Sequence, residues 1–236
     1  MSAFTGQMAI AIILSGGVGR RMNSSVPKQY IEVDNKSILA YTLNVFEKND
    51  LISEIVIVAS PDWKEYIESQ LRKFGIRKVV AYAEPGVCRQ ASILNGLKVC
   101  KEIINNYDET VVIHDAVRPM LSQELLNQCI SECQHSDGVM PAFPVKDTIY
   151  YCVNGSINQL LDRSKLYSGQ SPESFKFGKY LSAHKGYSEE DLKAINGSSE
   201  IAFKHGLSVK IITGDEHNYK ITTESDLKRF EKEVKS

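Results

Sequence analysis

The chain has 236 residues, and 28 lysines and arginines against 29 aspartates and glutamates leave a formal net charge of −1. That balance supplies no basic field for nucleic acid or an anionic membrane surface. The five cysteines, Cys88, Cys100, Cys129, Cys133 and Cys152, are odd in number and form no C-x-x-C pair, which argues against a disulfide framework or a zinc site and for a reducing cytoplasm.

The longest apolar run, MAIAIIL at 8–14, is too short to span a bilayer, and the MSAFTGQ start lacks the basic segment of a signal peptide. With no linker, repeat or low-complexity stretch, one domain over 1–236 is the simplest account. The run at 8–14 is continuously apolar rather than alternating, as a strand buried on both faces of a parallel sheet requires. Ser37 caps a helix with Leu39, Leu43 and Phe46 on one face, and EIVIVA at 54–59 is a second buried strand. Ser60-Pro61 opens a helix that buries Ile67, Leu71 and Phe74 and ends at Gly75, and 78–82 is the third strand. Ile93, Leu97 and Cys100 stand at helical spacing over 91–100. TVVIH at 110–114 is a fourth strand ending at Asp115, and Ser122 caps a helix with Leu125, Leu126, Cys129, Ile130 and Cys133 inward. Most of the thiols then read as small core hydrophobes. Strands alternating with helices predict a doubly wound, mostly parallel, Rossmann-like α/β sheet with helices on both faces.

Residues 145–170 break the alternation. VKDTIYYCVNGSINQLL reads as two short strands around Asn154-Gly155, a hairpin signal, and Tyr150 and Tyr151 would be poorly covered on a single chain. A projecting β-arm is expected, packed on a second copy in a homodimer. Helices are expected at 174–185 and 189–205, a strand at 207–213, and a last helix from Thr223, whose T-E-S-D start has the form of a capping box.

In an open parallel sheet a ligand binds beyond the carboxyl ends of the strands, so the segments after the first, third and fourth strands belong together. The first is Ser15-Gly16-Gly17-Val18-Gly19-Arg20-Arg21-Met22, then Pro27-Lys28-Gln29-Tyr30. Its glycines let backbone N–H groups approach phosphate oxygens, and Arg21 and Lys28 bring charge to the same loop. It matches neither a Walker A loop nor a full G-x-G-x-x-G, because Met22 takes the last glycine position, and this disfavours a dinucleotide site. After the third strand, Ser92 and the amides near a helix start can meet a base or ribose edge. After the fourth, HDAVRP at 114–119 puts Asp115 at the sheet edge, where a magnesium ion on a triphosphate takes a carboxylate. The alternative is an N-capping aspartate partnered by Arg118. His114 reads as a packed strand residue, with no second ligand at metal spacing. Arg163 beside the arm, and Lys220 in NYKIT at 218–222, add charge that the fold does not need. Together these residues suit a pocket for two anionic centres, a triphosphate and a second phosphate.

With these segments in order, the chain resembles the cytidylyltransferases that make CDP-methylerythritol or CDP-ribitol from CTP and a sugar-alcohol phosphate. The residues that carry the resemblance are LSGGVGRRM with PKQY (14–30), R-x-x-S-I-x-N-G-L (89–97), HDAVRP (114–119), PVKDT (144–148), QSPESF (170–175) and NYKITT (218–223). The resemblance implies CTP bound at Leu14, Ser15, Gly16, Gly17, Gly86, Arg89, Ser92 and Ala116, with Arg21 and Lys28 stabilising the transition state. It implies Asp115 as the Mg2+ ligand, and Asp115, Arg118, Thr148, Arg163 and Lys220 on the polyol-phosphate acceptor, Arg163 and Lys220 positioning it for attack. Thr148 lies on the arm that reaches the partner's site in dimers of this family. A phosphate monoester is largely dianionic at pH 7, so the acceptor can attack the α-phosphorus of CTP without a general base.

Three positions depart from the family pattern. Ser15 stands for the usual alanine, Ser171-Pro172-Glu173 for T-P-Q, and Asn196-Gly197 for a Thr-Asp pair. The last departure, with the run Tyr167-Ser168-Gly169-Gln170, favours D-ribitol 5-phosphate as acceptor, for surface-polymer synthesis. The alternatives are 2-C-methyl-D-erythritol 4-phosphate, in isoprenoid synthesis, and, in other classes, a non-catalytic nucleotide-binding domain or a nicotinamide-dependent reductase.

Overall fold

A computed structural model describes residues 8–17 and 26–235. From β1 (Ala9–Leu14) the chain passes through a 3-10 turn at Lys28–Tyr30 and a small hairpin of β2 (Glu32–Val33) and β3 (Lys36–Ser37). Then come α1 (Ile38–Glu47), β4 (Ile52–Val58), α2 (Lys64–Phe74), β5 (Val79–Ala83), α3 (Arg89–Lys101), β6 (Thr110–Asp115) and α4 (Gln123–Glu132). The second half runs β7 (Gly138–Pro144), β8 (Tyr150–Val153), β9 (Ser156–Leu160), β10 (Tyr167–Gly169) and β11 (Glu173–Lys176). It closes with α5 (Phe177–Ala183), α6 (Glu189–Lys193), α7 (Ser198–Lys204), β12 (Val209–Thr213) and α8 (Glu224–Lys235).

The main sheet has the order β10-β7-β11-β6-β1-β4-β5, with β12 also pairing β7. Strands β6, β1, β4 and β5 are parallel, β11 and β10 run antiparallel to their neighbours, and β12 is parallel to β7. The fold is thus the mostly parallel α/β sheet that the alternation predicts. Its two faces explain the uninterrupted apolar strand. Ala9, Ala11 and Ile13 pack with Leu39, Leu43 and Phe46 of α1 and Leu126 and Ile130 of α4. Ile10 and Ile12 point the other way, to Ile93 and Leu97 of α3 and Phe175 and Tyr180 beyond. Full burial of each such aliphatic side chain stabilises by roughly 1.5–3 kcal/mol.

The helix starts follow their caps. Ser37 Oγ accepts the Ala40 N–H at 3.1 Å and Ser122 Oγ that of Leu125 at 3.3 Å. Gly75 closes α2 at φ 66°, and Thr223 and Asp226 bond each other's backbone N–H groups at the start of α8. The five thiols are unpaired, and Cys100, Cys129 and Cys133 are buried in the core.

Three expectations are corrected. Residues 174–185 are not one helix: Glu173–Lys176 is a strand between β6 and β7, and only Phe177–Ala183 is helical. The Phe175 ring stacks on Tyr180 at 4.0 Å, so the apolar spacing there belongs to a strand folded onto the next helix. Residues 189–205 are two short helices, broken where Gly197 is extended. At 60–63, Pro61–Trp63 is a 3-10 turn before α2, and Ser60 Oγ bonds the Asp62 carboxylate instead of capping the helix. In addition, β7 was hidden in the sequence by Pro141 and Pro144, residues normally kept to sheet edges.

The hairpin is present as a separate two-stranded sheet, β8 with β9, turning through Asn154 and Gly155, both at positive φ. Every residue of both strands is exposed, Leu160 to 71%. No helix among the described residues is long and apolar enough to cross a membrane.

Candidate active site

The register of the central strands builds the site. Leu14 pairs with Asp115, so the loops after β1 and β6 leave the sheet side by side, and the Ala116 N–H bonds the Leu14 carbonyl at 3.1 Å. The loop after β5 joins them across the same edge. A Cβ on Gly16 would lie 2.4 Å from Pro85 Cβ, so only glycine allows the two loops to touch. Beneath the glycines, Gln29 Nε2 donates to the carbonyls of Ser15 at 2.7 Å and Gly17 at 2.9 Å. Ser15 points inward, its hydroxyl donating to Tyr30 Oη at 3.3 Å, while the Tyr30 ring stacks on Trp63 at 4.3 Å.

The second loop is shaped by Ser92. Its Oγ accepts the Gly86 N–H at 3.0 Å and donates to the Cys88 carbonyl at 2.9 Å. A Cβ on Gly86 would come within 2.4 Å of Ala91 Cβ and 2.9 Å of the Ser92 nitrogen, so the turn closes onto α3 only with glycine. Cys88 caps that helix through its sulfur, which accepts the Ala91 N–H at 3.4 Å.

Asp115 is the charge centre of the third loop. Its Oδ1 faces Arg89 Nε at 3.4 Å, and its Oδ2 faces Lys220 Nζ at 3.0 Å and Arg118 Nε at 3.5 Å. Burial alone would push this carboxyl up, but Arg89, Lys220 and Arg118 hold it well below the usual carboxylate range. Arg118 also donates to the Asn218 carbonyl at 2.7 Å, and Lys28 Nζ donates to the Ile221 carbonyl at 3.0 Å, which ties the segment before α8 to the cleft.

A buried relay fixes Asp115 from behind. His114 Nε2 lies 3.1 Å from the Arg118 carbonyl oxygen, which can only accept, so the ring proton sits on Nε2. His114 Nδ1 then accepts from the Ser171 hydroxyl at 3.2 Å, and Ser171 Oγ accepts the Asp115 N–H at 3.3 Å. The Ser171 carbonyl takes Asn218 Nδ2 at 2.6 Å. Burial pushes His114 down to about 4, so the ring is neutral at pH 7.

These loops enclose a cleft of about 530 Å³ lined by Leu14, Gly16, Gly17, Lys28, Gln29, Gly86, Val87, Cys88, Arg89, Ser92, Asp115, Val117, Lys220 and Thr222. Residues 9–236 match the family model IspD: 2-C-methyl-D-erythritol 4-phosphate cytidylyltransferase. The chain belongs to the IspD family of cytidylyltransferases. Among relatives, it is 31% identical over 225 residues, 94% of each chain, to the ribitol-5-phosphate cytidylyltransferase of Streptococcus agalactiae serotype III (strain NEM316). It is 34% identical over 217 residues, 92% of each chain, to the 2-C-methyl-D-erythritol 4-phosphate cytidylyltransferase of Geobacillus kaustophilus (strain HTA426). The structure of 4-diphosphocytidyl-2C-methyl-D-erythritol synthase from Anaerococcus prevotii DSM 20548 superposes with a TM-score of 0.80 at 27% identity, covering 98% of this chain and 97% of that one.

Of the residues singled out in the sequence, Leu14, Gly16, Gly17, Lys28, Gly86, Arg89, Ser92, Asp115 and Lys220 line the cleft of this IspD-family chain. Ser15 and Ala116 lie behind its wall, the Ala116 carbonyl accepting from Thr42 Oγ1 at 2.8 Å, and Arg118 reaches the cleft through Asp115. Thr148 and Arg163 are not brought to it: both are exposed near the arm, Arg163 donating to the Lys146 carbonyl at 2.8 Å. Arg21 lies outside the described residues. Gln29 belongs to the PKQY motif, but nothing in the sequence assigns it a role, and the Ser171 and Asn218 contacts are not legible there, because only the folded chain brings these side chains to the glycine loop and to Asp115.

The expectation that Asp115 ligates magnesium does not suit this arrangement. Both carboxylate oxygens already face cations, so a dication placed there would meet three positive groups at short range. Among the described residues no group of three or more His, Cys, Asp or Glu side chains could hold a metal ion.

Proposed function

We propose that the chain transfers the cytidylyl group of CTP to a polyol phosphate, D-ribitol 5-phosphate in the first instance, forming CDP-ribitol for surface-polymer synthesis and releasing pyrophosphate. The observation that carries this reading is the meeting, in one cleft, of the Gly16 and Gly17 backbone and Lys28 with the Asp115, Arg118 and Lys220 cluster. The first group suits the phosphates of a nucleotide; the second offers cations to a second anion.

The acceptor phosphate is largely dianionic near neutral pH. One of its oxygens attacks the α-phosphorus in line, the new P–O bond forms, and the bond to the β-phosphate oxygen breaks, its electron pair leaving with pyrophosphate. No proton needs to be removed, so the work of the chain is placement and charge stabilisation. Lys28 answers the charge that builds on the triphosphate, a role the sequence also assigns to Arg21, seven residues earlier in the chain. Lys220 exchanges its resting partner, the Asp115 carboxylate, for the acceptor phosphate. The exposed apolar side chains Tyr150, Ile157 and Leu160 support an arm that packs on a second copy, where Thr148 and Arg163 would serve the partner's acceptor.

D-ribitol 5-phosphate is preferred because the Streptococcus agalactiae relative bears that name and because Asn196-Gly197 replaces the Thr-Asp pair. The second reading, transfer to 2-C-methyl-D-erythritol 4-phosphate, has the family model and the Geobacillus relative behind it. The test follows isotopic label. Phosphorus label at the α-position of CTP must move into the polyol product, and label at the γ-position must leave as pyrophosphate. Label from the γ-position in the polyol product would instead mean kinase chemistry and contradict the proposal.

A further inference from the structure

A second acid that steadies Arg89 stands outside the cleft. Glu173 opens β11, is 6% exposed and does not line the cavity. Its Oε1 faces Arg89 Nη2 at 3.7 Å, while Oε2 accepts the Ser199 N–H at 3.0 Å and the Ser199 hydroxyl at 2.7 Å. The other edges of the same guanidinium are also held. Nε faces Asp115 at 3.4 Å, and Nη1 donates to Ser198 Oγ at 2.6 Å. Ser198 is itself fixed, because its carbonyl accepts from the buried Tyr180 hydroxyl at 3.0 Å.

A neutral acceptor would be enough to satisfy Ser199. A buried carboxylate is costly unless paired, and among the described residues the ion pair recorded for Glu173 is the one with Arg89. The Arg89 side chain is 32% exposed and lines the cleft, so an anion entering the cleft can draw it away from its partners. If it moved, Asp115 would lose the partner of its Oδ1, and the carboxylate that orients Lys220 and Arg118 would be held from one side only.

We infer that Glu173 is a positioning residue for the transfer: with Ser198 it keeps Arg89 on Asp115 and off the substrate phosphates. The inference rests on the cytidylyl transfer proposed above. Gly197 supplies an independent handle. It precedes Ser198, has extended backbone at φ −139°, and a Cβ there would have no heavy atom of the described residues within 4 Å. Aspartate at that position meets no steric obstacle and adds a carboxylate one residue before Ser198, the hydrogen-bond partner of Arg89.

The experiment compares the wild-type chain, E173Q and E173Q/G197D in three measurements: thermal unfolding, CTP binding by calorimetry, and transfer to the acceptor that the wild type uses. E173Q keeps the shape of the side chain and removes its charge. Its melting temperature and CTP affinity stay close to wild type, kcat falls about 10- to 100-fold, the range of a displaced positioning contact, and G197D recovers a substantial part of the loss. Wild-type kcat in E173Q overturns the assignment. So does a loss of CTP binding or of thermal stability matching the loss of kcat, because Glu173 would then serve the nucleotide or the fold, and so does an absence of rescue by G197D. A wild-type chain that transfers nothing overturns the proposed function and this inference together, whereas a wild type that turns over beside an equally fast E173Q overturns only the inference.

Discussion

The Lys220 ammonium lies 3.0 Å from the Asp115 carboxylate, joining the segment before α8 to the carboxyl end of β6 in the floor of the cleft. The pair gives Lys220 a fixed position before any substrate phosphate arrives, and gives that phosphate an anion to displace. Lys220→Met should therefore raise the KM of the acceptor and lower kcat, together by about 10²- to 10³-fold in kcat/KM. CTP affinity should change little. Steady-state kinetics with CTP saturating checks this, and an unchanged acceptor KM with a weakened CTP site would reassign Lys220 to the nucleotide.

Asp115 and magnesium make a second test. With both oxygens engaged by Arg89, Arg118 and Lys220, the carboxylate orients cations. Asp115→Asn should lower kcat while the magnesium concentration for half-maximal rate stays within about twofold. A rise of about tenfold or more, as expected when a metal loses a supporting contact, would make Asp115 a ligand after all.

The glycine loop is tested by sterics. Gly16→Ala puts a methyl 2.4 Å from Pro85 Cβ, so the loops after β1 and β5 must part. The cost should be about 1–3 kcal/mol of stability, as for other overpacked contacts, accompanied by weaker CTP binding. Gly17→Ala, whose Cβ meets nothing within 4 Å among the described residues, is the matched control and should unfold at nearly the wild-type denaturant midpoint.

Much of this arrangement is legible in the sequence, for identifiable reasons. The run at 8–14 reads correctly because both faces of β1 are buried, which leaves no polar interruption. The segments that line the cleft are legible where the backbone itself shapes it, since Gly16 and Gly86 sit where a Cβ has no room. The strands around 138–144 and 173–176 do not read, because Pro141 and Pro144 imitate a loop and Phe175 and Tyr180 imitate a helical face. Gln29, Glu173 and the Ser171 contact act through pairings between distant segments, and no local pattern carries such pairings.

The pH response of stability should follow the buried histidine. His114 is pushed down to about 4 in the folded chain against 6.5 unpaired. Between those values the unfolded chain binds a proton that the folded chain refuses. The stabilisation is therefore complete above pH 6.5 and is lost as pH falls toward 4, by up to about 3 kcal/mol. Denaturant titrations across that window should show a shallower slope in His114→Gln, the remainder coming from His184, which burial also pushes down, and, toward pH 4, from carboxylates such as Asp115 that their cations hold low.

The arm predicts an assembly. Ile157 and Leu160 are 61% and 71% exposed in the single chain, so I157D/L160D should leave the fold intact. Sedimentation should show a dimer for the wild type and a monomer for the variant. The variant should bind CTP normally and transfer poorly, because Thr148 and Arg163 no longer reach a partner's cleft. A monomeric wild type with full activity contradicts this role for the arm.

The most direct test of the central claim is pyrophosphate release with CTP and magnesium against D-ribitol 5-phosphate, 2-C-methyl-D-erythritol 4-phosphate, glycerol 3-phosphate and no acceptor, repeated with ATP and GTP. The account predicts release that needs CTP and a polyol phosphate together, fastest with D-ribitol 5-phosphate and absent with the purine nucleotides. Release at equal rates with all nucleotides, or none with any acceptor while CTP still binds, would contradict it.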